Sequence, residues 1–312
     1  MRRVLFAAPV AVLACSAALA QGQIDYSKLE ITTTDLGHGV YYLGWRGGDS
    51  LFLVGDDGIL LVDTAVAQMG EKIKAAIARV SDKPVRLVIN THAHADHFGA
   101  NELLAKGGAL IVGHEKLRER MEKGQYLAAF RQTIPPSPPA ALPTVTFADT
   151  MTIHFDGETI QLIHVPRAHT DNDALVYFKR ANVIHASGTF GGDRTYPFFD
   201  LSSGGSLAGM IGAEEKMLSL ADAQTRIIAD EGDPGSTAGL KASRDMLVAV
   251  RERVQKLIDA GKSEDQVIAD KPTKDLDARW AQQGGPLNGD FFTRLAYQSL
   301  KNIKPPTRPP GH

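Results

Sequence analysis

The sequence predicts an α/β fold in which two β-rich halves, with helices between and after them, form one four-layer αββα sandwich. Two observations predict this class. Short apolar, β-branched runs separated by tight turns occupy residues 29–62 and recur at residues 151–186. Segments with helical apolar periodicity lie between these two β-clusters and follow the second one.

The first half begins with three strands and a helix. Gly47-Gly48 and the turn at 55–58 separate apolar runs, which is typical of hairpins. The runs predict strands at 40–43, 51–54 and 59–62. A helix is expected at about 69–80, because Ile73, Ala76 and Ile77 fall on one face. An apolar run at 85–90 predicts the next strand.

The second half is expected to resume after a proline-rich loop. Residues 134–143 contain five prolines and cannot form regular structure. Strands are predicted at 151–155, 159–165, 174–178, 183–186 and 226–229, and helices at 101–105, 114–124, 206–220 and beyond residue 246. Ser263 and Gln266 form a capping-box pattern. We expect one domain over residues 21–303, including these C-terminal helices, and a disordered tail at 304–312.

The N-terminus predicts export. Arg2-Arg3, the apolar stretch at 4–19 and Ala18-Leu19-Ala20 indicate a signal peptide at residues 1–20 and a periplasmic or secreted protein. The stretch is short for a membrane span, so the mature chain should have none. The only cysteine, Cys15, lies inside this signal. Residues 12–15 also resemble a lipoprotein cleavage box, in which Leu13 fits poorly.

Composition excludes one class of partner. The chain has 312 residues, of which 43% are hydrophobic and 22% charged, and its formal net charge is −2. This is ordinary globular composition without the basic field that nucleic acid requires. We therefore expect a small-molecule substrate and no nucleic acid.

Residues 92–97 read His-Ala-His-Ala-Asp-His and follow the predicted strand at 85–90. The motif therefore occupies a loop at the C-terminal end of a buried strand. In an extended segment His92 and His94 point to the same side and can bind one ion. Asp96 and His97, past the bend, face a neighbouring position. Imidazole and carboxylate ligands suit zinc best, with iron and manganese as alternatives.

This motif resembles the signature of the metallo-β-lactamase-fold hydrolases. The resemblance extends over residues 31–234, and the Tyr-Pro-Phe-Phe-Asp segment at 196–200 is similar to secreted members. It implies the αββα fold, with a metal site at one edge between the sheets. In the family a His followed by Thr completes the first site, and His169 matches it. The resemblance thus implies a zinc held by His92, His94 and His169, with a fourth position open for water.

The second metal position departs from the family pattern. Asp96 and His97 resemble its ligands, but Gly188 stands where most hydrolases of this fold carry a bridging Asp. Ser187, one residue away, either contributes a hydroxyl or is an ordinary loop serine. Glu231 stands where the family usually has His, and it either binds the ion or faces water. We expect one tightly held zinc and a second, much weaker position, whose metal content Gly188→Asp with Glu231→His should raise.

Three further residues have expected roles, of which that of Asp63 follows from the resemblance. Asp63 ends a buried strand and is expected to brace the histidine loop, although it also suits a plain turn. Tyr196, with Phe198 and Phe199, either lines the substrate mouth or belongs to the core. With a weak or empty second position, Asp96 is free to act as the catalytic general base.

These observations predict an exported, zinc-dependent, β-lactamase-like hydrolase in which zinc-bound hydroxide opens a cyclic amide or related carbonyl substrate. Phosphodiester cleavage usually uses two bridged metals, which Gly188 disfavours. Two alternatives stay open. One is an iron-dependent sulfur oxidoreductase of the same fold, whose metal-binding carboxylate would fall at position 188. The other is a degenerate, non-catalytic metal-binding member.

Overall fold

The computed structural model describes residues 25–229, 234–282, 285, 287–306 and 308. Its strands are β1 (Thr32–Gly37), β2 (Val40–Trp45), β3 (Gly48–Gly55), β4 (Gly58–Val62), β5 (Val85–Ile89), β6 (Leu110–His114), β7 (Gln125–Leu127), β8 (Gln132–Ile134), β9 (Val145–Phe147), β10 (Thr150–Phe155), β11 (Glu158–His164), β12 (Ala174–Phe178), β13 (Val183–His185), β14 (Arg226–Ile228) and β15 (Gly235–Ser236). Its α-helices are α1 (Gly70–Ala78), α2 (Ala95–Phe98), α3 (Asn101–Lys106), α4 (Glu115–Lys123), α5 (Leu207–Leu220), α6 (Thr237–Asp259), α7 (Glu264–Ala269), α8 (Asp277–Trp280) and α9 (Gly289–Leu300). The expected signal peptide and Glu231 lie outside the described residues.

The strands form two large sheets and one small hairpin. The first sheet has seven strands in the order β1-β2-β3-β4-β5-β6-β9, antiparallel up to β4 and parallel beyond it. The second has six in the order β10-β11-β12-β13-β14-β15, antiparallel except for the β13–β14 pair. Among the described strands, β7 and β8 pair only with each other.

Burial along β4 shows how the layers stack. Because successive side chains of a strand point to opposite faces, a strand buried on both sides feeds two cores. Leu60 and Val62 join the apolar cluster between the two sheets. Ile59 and Leu61 join the cluster beneath α1. A third cluster packs the outer face of the second sheet against α5, α6 and α9. The predicted four-layer αββα sandwich is confirmed.

The connections between strands bring the candidate site to one edge. Asp63 directly follows β4, and the histidine loop follows the parallel neighbour β5. His169 lies in the connection between β11 and β12 of the other sheet. The two loops are joined directly, since the backbone N–H of Ala93 donates to Asn172 Oδ1 at 2.8 Å and that of Ala174 donates to Thr91 O at 2.9 Å.

Most predicted elements are present with shifts of a few residues, and the predicted capping box at Ser263 and Gln266 is formed. The structure adds the β7–β8 hairpin, the three-residue strand β9 and the short helix α8. These elements have three or four residues each, too few to show a period in the sequence.

Among the described residues, no helix combines the length and apolarity needed to cross a membrane.

Candidate metal centre

Three histidine side chains converge at the edge between the sheets. His94 Nδ1 lies 3.2 Å from His92 Nε2 and 2.9 Å from His169 Nε2. All three residues are buried, and the side chain of His94 retains 9% of its exposure. The structure thus brings together the three residues expected to form the first metal position, although His169 is 75 residues from His94 in the chain.

The outer nitrogen of each ring has an oxygen partner. His169 Nδ1 lies 2.8 Å from Phe198 O, and His94 Nε2 lies 3.4 Å from Asp200 Oδ2. A carbonyl or carboxylate oxygen can only accept, so we assign the ring proton to the outer nitrogen. His92 Nδ1 lies 3.1 Å from the Thr91 hydroxyl, which itself donates to a carboxylate, and the same assignment follows. The three inner nitrogens then present lone pairs to one another.

Converging lone pairs repel unless a cation lies between them, so this donor set fits a metal ion. A tetrahedral zinc with bonds of about 2.0–2.1 Å spaces its ligand nitrogens about 3.3 Å apart. The observed separations of 3.2 and 2.9 Å are close to that value. Burial, and then the neighbouring His97 and His169, hold the pKa of His92 well below its usual value. His92 is therefore neutral at working pH, as a ligand must be.

The turn that carries His169 is fixed by its own side chains. The carboxylate of Asp173 accepts from the N–H and the hydroxyl of Thr170, each at 2.8 Å. Arg120 on α4 donates through two guanidinium nitrogens to Asp171, each at 2.8 Å. A bidentate pair of this kind fixes orientation as well as distance. The turn is therefore held from within and from the neighbouring helix.

Asp63 contacts the histidine loop at three points. Its carboxylate accepts from the Thr91 N–H at 2.8 Å and the Thr91 hydroxyl at 2.6 Å, and lies 2.8 Å from His97 Nδ1. The residue is fully buried and has a φ of +59°, a backbone conformation that costs energy outside glycine. These contacts are those that a bracing carboxylate would make.

His97 lies beside His92 but outside the cluster of three histidines, and Asp96 lies beside His97. The His97 ring centroid is 3.9 Å from that of His92, and His97 Nε2 lies 3.7 Å from Asp96 Oδ2. The Asp96 side chain is 53% exposed. These two residues supply the side chains expected at the second position, with one of them open to solvent.

The structure corrects the expectation for position 188. Gly188 lies in a short 3-10 helix with Ser187, whose hydroxyl is 3.1 Å from His92 Nδ1. A Cβ at position 188 would lie within 2.6 Å of His169 Nε2. Gly188→Asp would therefore displace a residue of the first position, and it cannot simply restore the second. Glu231 lies outside the described residues.

The Tyr196-to-Asp200 segment divides between core and site. Tyr196 and Phe199 are fully buried, and the Tyr196 hydroxyl donates to Asp277 Oδ1 at 2.8 Å. Tyr196 therefore belongs to the core, which corrects the alternative that it lines the substrate mouth. Phe198 is half-buried, and its ring centroid lies 5.6 Å from that of His169.

Asp200 is a site residue that sequence reasoning missed. Burial alone would raise its pKa, but the His94 ring and the hydroxyl groups of Ser202 and Ser203 outweigh burial and hold the pKa below its usual value. Its backbone N–H also donates to His169 O at 2.7 Å. The only sequence signal was its place at the end of the Tyr-Pro-Phe-Phe-Asp segment.

Comparison with known protein families shows the superfamily to which this chain belongs. The sequence pattern of the metallo-beta-lactamase superfamily matches residues 43–255. The chain belongs to this superfamily.

Solved structures with the same fold are distant in sequence. A metallo-beta-lactamase from Pontibacter korlensis superposes with a TM-score of 0.55 at 18% identity, over 70% of this chain and 99% of that one. The sec-alkylsulfatase Pisa1 from Pseudomonas sp. superposes with a TM-score of 0.63 at 16% identity, over 88% of this chain and 50% of that one. A double mutant of PisA1 gives 0.65 at 16% identity, with the same coverage.

Proposed function

We propose that this protein is an exported, zinc-dependent hydrolase of β-lactamase-like type that opens a cyclic amide or a related carbonyl substrate. The observation that carries the proposal is the convergence of three inner nitrogens on His92, His94 and His169. Three neutral ligands leave a dication its full charge and one open coordination position. Export rests on the signal-like N-terminal sequence alone.

A zinc ion held there would supply Lewis acidity and lower the pKa of water towards neutrality. The chain's own residues divide the remaining work. His92, His94 and His169 would hold the ion, and the contacts of their outer nitrogens with Thr91, Asp200 and Phe198 fix each ring. These contacts also keep each ring in the tautomer that presents its lone pair inwards.

Asp96 is the proposed general base, because its carboxylate is open to solvent and lies 3.7 Å from Nε2 of His97, whose ring packs against that of His92. It accepts a proton from the attacking water while the water oxygen bonds to the carbonyl carbon. When the bond from that carbon to the ring nitrogen or oxygen breaks, Asp96 returns the proton to the leaving atom. His97, held through Nδ1 by Asp63, would contribute to a second and weaker metal position.

Elemental analysis of freshly purified protein, coupled to hydrolysis assays on a β-lactam, a lactone and a thioester, tests the proposal. We expect zinc and turnover of at least one of these substrates. His92→Ala, His94→Ala and His169→Ala should each lose the zinc and the activity. The matched control is His154→Ala, because His154 is an exposed histidine on β10. Full activity in any of the three site variants would refute the assignment.

A further inference from the structure

A cavity of about 750 Å³ lies on the outer side of the second sheet. It is bounded by the end of β11 and the residues that follow, by one face of α5 and by the C-terminal end of α9. Its volume falls in the range of about 300–1,000 Å³ that is typical of small-molecule sites. None of His92, His94 and His169 lines it, so a ligand there would occupy a site separate from the metal centre.

The floor of the cavity is apolar. Ile163 and Val165 are buried at the end of β11 and just after it, and Leu300 at the end of α9 is partly buried. Ala208 and Gly212 of α5 are exposed and small, so they leave the space above this floor open. A Cβ built on Gly212 has no described atom within 4 Å, so no neighbouring atom requires glycine there. Such a floor would bury a hydrocarbon chain.

The charged residues of the cavity wall are both cations. Arg167 and Lys216 line it, and no aspartate or glutamate of the described chain does. Both residues are exposed, and neither forms an ion pair with another residue that the structure describes. Arg167 lies at the N-terminal end of α5, where the Ser206 hydroxyl donates to Arg167 O at 2.7 Å. Because the dipole of α5 adds positive potential at that end, the cavity favours an anionic group beside Arg167.

The same face of α5 suggests the length of the ligand. Ala208, Gly212 and Lys216 form one row, because residues four apart are neighbours on a helix. The rise of about 1.5 Å per residue places Lys216 about 12 Å beyond Ala208 along the axis. An extended chain of roughly eight carbons has a similar length. The aliphatic stem of Lys216 can cover the far end of such a chain while its ammonium group stays in water.

The C-terminal residues of the chain itself do not match the charge of this cavity. Residues 301–312 follow α9 and contain no aspartate or glutamate, whereas Lys301, Lys304 and Arg308 are basic. Their charges would be repelled by Arg167 and Lys216. The charge of the wall therefore favours an anionic ligand over this segment.

We propose that the cavity binds a free anionic amphiphile, with one anionic headgroup on an alkyl chain of about eight carbons. The headgroup lies beside Arg167 and the N-terminal end of α5, and the chain lies on Ile163, Val165 and Leu300. This site does not depend on the proposed hydrolysis, because it shares no residue with the metal centre.

Isothermal titration calorimetry with 1-octanesulfonate, below the concentration at which it forms micelles, tests the proposal. A sulfonate is chosen because it coordinates zinc weakly. Methanesulfonate carries the same headgroup without the chain, and 1-octanol has the same chain length without the charge. We expect octanesulfonate to bind at least about fivefold more tightly than either of them.

Two variants remove the two features of the site. Gly212→Phe fills the cavity and should weaken octanesulfonate binding by about tenfold or more. Its matched control is Gly212→Ala, which adds one methyl group in open space and should leave the affinity within about twofold. Ala208→Phe on the same row repeats the test, and circular dichroism checks that each variant is folded.

Arg167→Gln should weaken octanesulfonate binding by about threefold to fivefold and leave octanol binding unchanged, because only the charge is lost. Arg180→Gln is the control for charge. Arg180 is an exposed arginine after β12, at the opposite end of that strand from the His169 turn. It should leave both affinities unchanged.

Three outcomes would overturn the proposal. The first is absence of octanesulfonate binding, or equal binding of octanesulfonate and octanol, in the native protein. The second is native affinity in both Gly212→Phe and Ala208→Phe. The third is binding that survives these substitutions but is lost in His94→Ala, which would place the ligand at the metal centre.

Discussion

The two positions of the candidate metal centre draw on the same loop, yet they differ in how completely the fold supports them. At the first position, the three histidines are buried and every outer nitrogen has an oxygen partner. At the second, among the residues that the structure describes, His97 is braced by Asp63, but Asp96 is half exposed and Gly188 offers no side chain. We therefore expect the two positions to differ in metal affinity although they share one motif, because different residues hold their side chains in place.

The separation of the two positions predicts a variant that keeps metal but loses turnover. Asp96→Asn leaves the three histidines intact, so zinc content should stay at the native level. Hydrolysis should fall by about 10²–10⁴-fold, because the general base is lost. Metal analysis and steady-state kinetics on the same preparation check both parts. Loss of zinc would show that Asp96 is a ligand and that the two positions form one site.

The contact between Asp200 and the His94 ring predicts the next largest effect. Asp200→Asn should lower the zinc affinity by about 10–100-fold, because His94 loses the carboxylate that orients its ring. Competition with a chelator measures this affinity. Asp245→Asn, an exposed aspartate on α6, is the control and should have no effect. Native affinity in Asp200→Asn would mean that the ring is held without that carboxylate.

Gly188 packs closely against His169 of the first position. Gly188→Ala should destabilise the fold by about 1–3 kcal/mol and lower zinc occupancy, because its Cβ meets the His169 ring. Gly212→Ala on α5 is the matched control, since no described atom lies within 4 Å of a Cβ built there. It should be neutral or slightly stabilising. Unfolding in denaturant, with zinc content measured on the same samples, compares the two. Equal stability and occupancy in both variants would contradict the steric account.

The pH dependence of metal binding and activity must be separated from the pH dependence of the free energy of unfolding. Glu214 on α5 is fully buried; its Oε1 accepts from the Ser243 hydroxyl at 2.8 Å, and its Oε2 has no hydrogen-bond partner among the described residues. Burial raises the pKa of Glu214 well above its usual 4.5. The unfolded chain therefore releases this proton at lower pH than the folded protein does.

Because the pKa of Glu214 is higher in the folded protein than in the unfolded chain, ionisation of this group destabilises the fold as pH rises. This group's contribution to the free energy of unfolding is full below the unfolded pKa and declines as pH rises towards the folded pKa. Glu214→Gln cannot ionise, so its Tm should fall less than the native Tm between about pH 5 and pH 8. Thermal unfolding followed by circular dichroism at both pH values measures this. An identical fall in both proteins would show that Glu214 does not set the slope.

Local pattern explains which parts of the site were predictable. His92, His94, Asp96 and His97 lie within six residues after a recognisable strand, so spacing alone placed them. His169 required the family resemblance, because nothing local marks a histidine 75 residues away as a partner. Asp200 is 106 residues from His94, and its role depends on tertiary packing.

The expectations for Tyr196 and Gly188 also depended on tertiary contacts that the sequence does not show. Tyr196 was ambiguous because an aromatic residue in a loop suits a substrate mouth and a core equally, and its contacts with Phe292 and Asp277 decide for the core. The consequence of Gly188 was misjudged because sequence shows a missing side chain but not the ring that occupies its space. The fold class was predictable since apolar periodicity recurs along most of the chain.

We expect the metal centre to hold one zinc tightly at the first position and to bind a second ion only weakly. The most direct test is the zinc stoichiometry of the native protein after extensive dialysis against metal-free buffer. One zinc per chain is the expected result, and it should disappear in His94→Ala. Two zincs per chain would contradict the account and would require Glu231 to be promoted to a firm ligand of the second ion.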